Sequence, residues 1–326
     1  MMYSLLFNKL YAAGQMKNPE KINKRSFYKF LHETGGHSVL KSCLEGNIMF
    51  SRIPELNDFS ETFAVADKKD IAKSLSEIQK KGLRKDELVR LSNHVELMKK
   101  VFPDLKDLFE SLKTLCLPDQ LGSALRFDKI KLLASQFGLS FDNPLNVLID
   151  ALPKILQLTN EMIQQRIGIF CVAKTFKNFP MWAHYADNAR GFVVEYKNLG
   201  EIFSGDGETG VFGVLKKVEY YTGKRLAVQF HPSKLNEMFF SKHEAWKYEG
   251  EYRVVKPLNE CKKRFVGNGI ERHLYKINPQ KYIKRIIVGW NGYVEEIRNF
   301  VKNECDIPVV QAVVRDGNIV IPSPKK

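Results

Sequence analysis

The sequence is poor in the features that mark disulfide-rich and metal-binding proteins. Its 326 residues include five cysteines, which stand far apart at Cys43, Cys116, Cys171, Cys261 and Cys305. Their number is odd and no C-x-x-C pair occurs, so neither a disulfide framework nor a zinc site is readable. We therefore expect reduced thiols and a cytoplasmic location.

Long apolar runs and the common catalytic signatures are also absent. No run reaches the roughly 18 apolar residues that a membrane-spanning helix needs, and Lys9 interrupts the short apolar stretch at the N-terminus. We expect no membrane partner. The sequence has no G-x-x-x-x-G-K-S/T, G-x-G-x-x-G, H-E-x-x-H or G-x-S-x-G motif. These absences remove the commonest kinases, dinucleotide oxidoreductases, zinc hydrolases and α/β-hydrolases as first candidates.

What the chain does have is a globular composition and an excess of positive charge. Apolar residues make up 44% and charged residues 27%, and the net charge is +14. Residues 167–326 carry 26 Lys or Arg against 17 Asp or Glu, which is +9 of that total. A basic half of this kind fits an ordinary solvated face or a partner that carries phosphates.

The chain divides by pattern into three parts. Residues 1–66 read as strand, helix and strand, with a strand at 27–30, a helix over Ser38–Leu44 and a strand at 47–51. Residues 67–166 show apolar spacing typical of helices, interrupted by prolines. We expect these residues to form an inserted all-helical subdomain.

Residues 167–326 turn to strands. We predict strands at 167–172, 191–196, 212–221, 252–255, 285–288 and 309–314. A helix is predicted at about 293–304, and Asp316-Gly317-Asn318 predicts a terminal hairpin turn. The fold class is therefore α+β, with a mixed or antiparallel sheet core and the helical insert.

Three local patterns stand out by their aromatic and acidic residues. The first contains Tyr28-Lys29-Phe30, Phe50-Ser51, Asn57-Asp58 and Glu61; the second Trp182, Tyr185-Ala186 and Gly191; the third Trp246, Tyr248-Glu249 and Glu251-Tyr252-Arg253. At these residues the chain resembles the bacterial domain of unknown function 2971 family. That family shows Y-K-Y or Y-H-Y, F-S, N-D-P-x-E, W-x-x-Y-A and K-x-x-x-W-x-Y-E-x-E-W-R in the same order. The resemblance covers about residues 27–66 and 170–320 and brings no chemistry with it.

A second resemblance supplies chemistry. The layout is similar to that of ADP-ribosyltransferases, which implies NAD as the donor substrate. The resemblance implies that Glu251, or Glu249, stabilises the oxocarbenium-like ribose, as a carboxylate does in glycoside cleavage. It implies Tyr185 as a second catalytic residue. The residues expected to shape the NAD pocket are Lys29, Phe30, Ser51, Asn57, Asp58, Trp182 and Arg253.

The function that follows is an ADP-ribosyltransferase-like enzyme, of a defence or toxin type, that modifies a nucleic acid or a protein. A non-catalytic nucleic-acid-binding or sensing module of a phage-defence system is the alternative, because the second half is basic and aromatic residues make up 11% of the chain. A third possibility is a metal-dependent nuclease, for which Glu195-Tyr196-Lys197 supplies an E-x-K pattern. No metal ligand set is predicted, and the oligomeric state stays open.

Overall fold

The computed structural model describes residues 25–33, 36–56, 161–205, 211–223, 239–266 and 269–322, and the single positions 99, 106 and 135. In these residues the strands are β1 Phe27–Leu31, β2 Asn47–Arg52, β3 Ile167–Ala173, β4 Phe192–Tyr196, β5 Lys216–Lys217, β6 Glu219–Tyr221, β7 Ser241–His243, β8 Glu251–Pro257, β9 Lys262–Val266, β10 Ile270–Lys276, β11 Ile283–Val288, β12 Val309–Gln311, β13 Val313–Arg315 and β14 Asn318–Val320. The α-helices are α1 Ser38–Leu44, α2 Phe179–Tyr185, α3 Leu199–Ile202, α4 Pro279–Tyr282 and α5 Val294–Glu304, and 3-10 helices cover Ile53–Glu55, Glu244–Glu249 and Leu258–Glu260.

Local sequence signals account for several of these elements. Helix α1 has the predicted bounds, and Gly46 follows it with a φ of +79°, a conformation that glycine adopts without strain. Helix α5 buries Ile297 and Val301, which lie one turn apart on the same face. Asp316 and Gly317 both have positive φ and close the β13–β14 hairpin, as the sequence predicts.

One strand organises the main sheet. Strand β3 pairs with β8 along its whole length, from Ile167 opposite Pro257 to Ala173 opposite Glu251. Its other edge is shared, since Ala173 pairs with Tyr28 of β1 while the opposite end of β3 pairs with β2. Beyond this point the sheet continues as two branches, β1-β4-β11-β12 and β2-β10-β9. All these pairings are antiparallel except the parallel pair β11-β12.

The largest apolar core joins the two branches. It contains Phe27 and Val194 from one branch, Ile48 and Phe50 from the other, and Phe170 from β3. Because side chains alternate along a strand, the residues between these face the opposite side of the sheet. Two smaller clusters cover that opposite side, one around Trp182 and one around Phe239 and Phe240.

The structure confirms a mostly antiparallel mixed sheet with several helices, and it corrects two predicted strands. Residues 212–221 hold only the short strands β5 and β6 with two isolated bridges, and residues 309–314 are divided by Ala312 between two sheets. Strands β9 and β10 were not predicted, because they lack an alternation of buried apolar residues: positions 262–265 are all exposed, and His273 is the one buried residue of β10. Apart from the three single positions and 161–166, the predicted helical insert lies outside the described residues. Within the described part of the chain, no helix has both the length and the apolar character needed to cross a membrane.

The turn between α1 and β2 provides a test of the fold. A Cβ atom on Gly46 would lie 2.2 Å from the carbonyl oxygen of Ile277, and its φ is +79°. We expect Gly46→Ala to lower the free energy of unfolding by about 2 to 5 kcal/mol, through strain and the clash together. Urea denaturation measures this change.

The matched control is Gly317→Ala. Gly317 also has a positive φ, of +72°, but no atom lies within 4 Å of the added Cβ. Its substitution should cost only the conformational strain, about 1 kcal/mol. Equal losses in the two variants would show that the contact with Ile277 does not matter.

Candidate functional site

Five polar side chains from four secondary-structure elements meet on the face of the sheet opposite the main core. They are Tyr185 at the end of α2, Lys242 on β7, Glu249 at the end of a 3-10 helix, and Glu251 and Arg253 on β8. We call this set the charge cluster. Its two acidic and two basic members are each exposed by 5% or less.

The bonds within the charge cluster form a chain. The Tyr185 hydroxyl donates to Glu249 Oε1 over 2.6 Å, and Lys242 Nζ donates to Glu249 Oε2 over 2.7 Å. The same Nζ lies 3.4 Å from Glu251 Oε2. Arg253 holds Glu251 with two bonds, Nε to Oε1 at 2.8 Å and Nη2 to Oε2 at 3.0 Å. Lys242 thus separates two carboxylates that would otherwise repel each other.

The cations keep the inner carboxylate ionised. Burial by itself would raise the pKa of Glu251, but the charges of Arg253 and Lys242 outweigh burial and lower that pKa to about 2. Arg253 also donates from Nη1 to the carbonyl oxygen of Phe239 over 2.9 Å. Two carboxylates and two cations give a formally neutral set, which is how buried charge is tolerated in a protein.

The surface end of the charge cluster is aromatic. The half-buried Tyr185 ring lies 6.4 Å from the exposed His184 ring, which lies 6.4 Å from that of Tyr248. Trp246 is 6.1 Å from Tyr248, and Lys242 Nζ lies 4.7 Å from the centre of the Trp246 ring. Rings of this kind offer flat faces to a base or to nicotinamide.

Hydrogen bonds between side chains and the backbone hold the contributing segments in place. Asn178 caps α2 by accepting from the Met181 backbone N–H over 3.3 Å, and its amide donates to the Tyr248 carbonyl. This residue therefore fixes the Tyr185 helix against the segment that carries Glu249. On the other side, the backbone N–H of Glu251 donates to the Tyr220 hydroxyl over 3.0 Å.

Of the residues predicted from the sequence, Tyr185, Glu251 and Arg253 come together, and Lys29 does not join them. In the pairing of β1 with β3, Tyr28 stands opposite Ala173, which in turn stands opposite Glu251. Tyr28 thus shares the face of Glu251, and its neighbour Lys29 points to the other face. There, Lys29 Nζ lies 5.7 Å from the centre of the Phe170 ring in the main core. The prediction that Lys29 and Glu251 share one pocket is therefore wrong, because Tyr28, one residue earlier, occupies the face of Glu251.

Two predicted pocket residues are core residues instead. Trp182 is fully buried, donates from Nε1 to the Phe176 carbonyl over 2.7 Å, and packs edge-on against Phe30 at 5.3 Å. Phe30 is itself 5% exposed. Neither ring presents a free face to a ligand, so their assignment to an NAD pocket is corrected.

The other predicted residues lie apart from the charge cluster or outside the described residues. Ser51 pairs with Ile169, four residues along β3 from Ala173, or about 13 Å at the usual strand rise. Asn57 and Asp58 fall outside the described residues. Arg253 is in the charge cluster, but it is 1% exposed and its donors are engaged by Glu251 and Phe239, so it cannot meet a pyrophosphate as predicted.

The sequence predictions gave Lys242 no role in a site and included Glu195 only as part of the E-x-K pattern. Lys242 lies at the head of the third pattern, and its spacing of seven residues from Glu249 gives no periodic signal. Glu195, the acidic residue of the E-x-K pattern, is 1% exposed and bound by Lys284 and Arg285 at 2.9 and 2.5 Å. Among the described residues no group of three or more His, Cys, Asp or Glu side chains has a geometry for a metal ion.

The charge cluster should make the stability of the protein depend on pH. The pKa of Glu251 lies near 2 in the folded chain, against an ordinary value of 4.5. A carboxylate with a lowered pKa stabilises the fold above its unfolded pKa, and this contribution is lost as pH falls. We expect the free energy of unfolding to decline from about pH 4.5 to pH 2, and to decline less steeply in Glu251→Gln. Urea denaturation at a series of pH values measures both slopes.

The control for this measurement is Glu295→Gln, since the Glu295 side chain is 72% exposed on α5. Its pH profile should follow that of the wild type. A Glu251→Gln profile as steep as the wild-type profile would rule out Glu251 as a main source of the pH dependence.

The chain matches no family model, no curated protein and no solved structure. The resemblances drawn from the sequence motifs therefore rest on those motifs alone.

Proposed function

We propose that the protein is an ADP-ribosyltransferase-like enzyme that binds NAD at the Tyr185 end of the charge cluster. The observation that carries this proposal is the meeting of motif residues more than 60 positions apart, Tyr185 and Glu249, over a 2.6 Å hydrogen bond. Buried ion pairs contribute little net stability compared with apolar packing. Ionised groups assembled at such a cost are candidates for a functional site.

The geometry favours Glu249 over Glu251 as the carboxylate that acts on the ribose. Both carboxylate oxygens of Glu251 are engaged by the buried cations Arg253 and Lys242. Lys242 also engages Oε2 of Glu249, but Oε1 of Glu249 is bonded to the half-buried Tyr185 hydroxyl. In the proposal a ribose hydroxyl replaces the Tyr185 hydroxyl as the donor to Glu249 Oε1. Glu249 then stabilises the positive charge that develops on the ribose.

In the reaction the bond from the ribose C1′ to nicotinamide breaks, and nicotinamide leaves with the bonding electrons. An acceptor oxygen or nitrogen forms the new bond to C1′ and releases its proton. In the proposal, the neighbouring rings of His184, Trp246 and Tyr248 contact the nicotinamide or adenine face. Lys29 has no part in this site, since it faces the main core.

Nicotinamide release from NAD tests the proposal. We expect the wild-type chain to release nicotinamide, and Glu249→Gln to lower the rate about 100-fold or more, since the charge on the carboxylate is lost. Tyr185→Phe should have a smaller effect, about tenfold or less, because the ring remains and only its hydroxyl is removed.

The control is Lys29→Gln, which removes a charge from the opposite face and should leave the rate within about twofold of the wild type. If the wild-type chain releases no nicotinamide and NAD does not raise its melting temperature, the enzyme proposal fails. If Lys29→Gln abolishes the activity, the location of the site is wrong.

A second function, binding of nucleic acid, is favoured by one stretch of the surface. Residues 256–285 contain nine Lys or Arg and two Glu, so they carry +7 of the net charge of +14. The β9–β10 hairpin within this stretch exposes Phe265 by 67% and, two residues earlier on the same face of β9, the side chain of Lys263 by 60%. Surface ion pairs, such as the one from Lys263 to Glu271 at 3.3 Å, offset part of this charge. Basic groups beside an exposed ring suit a single strand, with phosphates on the cations and a base on the ring.

The salt dependence of binding to a labelled single-stranded oligonucleotide tests this function. We expect log K to fall linearly with log salt, and Lys263→Ala to reduce the slope by about 1. Phe265→Ala should weaken binding about tenfold without changing the slope, since stacking involves no ion release. Lys41→Ala, on α1, is the control. A wild-type affinity that does not respond to salt would exclude a backbone-directed interface.

A further inference from the structure

A second polar cluster lies on the same face of the sheet as the charge cluster. Glu195 on β4 accepts from Lys284 Nζ over 2.9 Å and from Arg285 Nε over 2.5 Å. The Tyr28 hydroxyl lies 3.4 Å from Glu195 Oε1, and Ser26 adds a further hydrogen bond. The enzyme proposal leaves this cluster unused. We propose that Lys284 and Arg285, held in place by Glu195, form a binding site for a phosphate group.

The charge of the cluster favours an anion. Burial alone would raise the pKa of Glu195, but hydrogen bonds from Lys284, Ser26 and Arg285 outweigh it and lower that pKa. Glu195 therefore carries one negative charge against two positive charges, a surplus of one. The carboxylate is buried, while the Lys284 and Arg285 side chains are 49% and 26% exposed. The positive groups are therefore the part of this cluster that faces solvent.

The cluster also directs free donors outward. Glu195 engages Nε of Arg285, and no described residue accepts a hydrogen bond from its two Nη groups. A guanidinium fixed at Nε presents these groups as a planar fork that matches two oxygens of a phosphate. Lys284 adds a point charge beside the fork, and Lys197 follows Glu195 by two residues at the same end of β4.

The position of this site relates it to the charge cluster. A single row of paired residues crosses five strands on one face, in the order Glu251, Ala173, Tyr28, Glu195 and Arg285. Glu195 and Glu251 are three strand spacings apart, about 14 Å. One extended ligand with phosphates could span that distance, as could a nucleic-acid strand. Both sources share the chemistry that the site recognises, a phosphate oxyanion.

Binding assays on the full chain test this site. The probes are ADP-ribose, inorganic pyrophosphate and a short fluorescent single-stranded oligonucleotide, and adenosine serves as the probe without phosphate. We expect Lys284→Gln to weaken binding of at least one phosphate probe about tenfold, as loss of a charged hydrogen bond does. Arg285→Lys keeps the charge but removes the fork, and it should weaken the same probe by about fivefold. Adenosine binding should not change.

Lys281→Gln is the matched control, because Lys281 is a neighbouring lysine whose side chain is 57% exposed. Its effect should stay below about twofold. Equal losses of affinity in Lys281→Gln and Lys284→Gln would show that a diffuse positive field, rather than a specific site, attracts the phosphate. Full retention of affinity in Arg285→Lys would show the same. Failure of the wild type to bind any phosphate probe also overturns the proposal.

The probes separate the two sources and keep this inference distinct from the enzyme proposal. Loss of ADP-ribose binding alone identifies a nucleotide ligand, and loss of oligonucleotide binding alone identifies a nucleic acid. If the chain binds pyrophosphate through Lys284 but releases no nicotinamide, the phosphate-site proposal stands and the enzyme proposal fails.

Discussion

The shared edge of β3 is the constraint on which the rest of the structure depends. One end of that edge pairs with β1 and the other with β2, so the sheet must divide there. The two branches enclose one apolar core, which contains Phe27 and Val194 from one branch and Phe50 from the other. Every residue of β1, β3 and β8 is thereby assigned either to that core or to the opposite face, where both polar clusters lie.

The charge cluster shows that two glutamates of one motif can have different surroundings. Glu251 has the motif context expected of a catalytic carboxylate, but its oxygens are occupied by Arg253 and Lys242. Glu249, two residues earlier, contacts the one member of the cluster that reaches solvent, Tyr185. Members of a buried polar network depend on one another for their hydrogen bonds, and within this network the two glutamates have different partners.

The sequence allowed the local elements to be predicted where periodicity and turn residues agree. Helix α1 with Gly46 after it, helix α5 and the turn at Asp316-Gly317 are of this type. Prediction failed for strands whose formation depends on pairing with another segment of the chain. Strands β9 and β10 carry charges on residues that still form a ladder, because β2 supplies the partner.

The candidate site could be predicted only in part, for the same reason. The motifs brought Tyr185, Glu251 and Arg253 to notice, but only the register shows that Tyr28 rather than Lys29 faces them. A one-residue difference in a strand exchanges the two faces of a sheet. Trp182 illustrates a second limit, since its sequence context does not reveal that its ring is enclosed by Phe30 and Trp290.

The basic residues of β9 have one more consequence. Strand β9 is the last in its branch of the sheet, so among the described residues its outer edge has no paired strand. An open edge is a template for pairing with a second chain, which leads to aggregation. Lys262, Lys263 and Arg264 occupy this edge and are exposed. Two copies brought edge to edge would place like charges side by side, so these residues keep the chain from extending its own sheet.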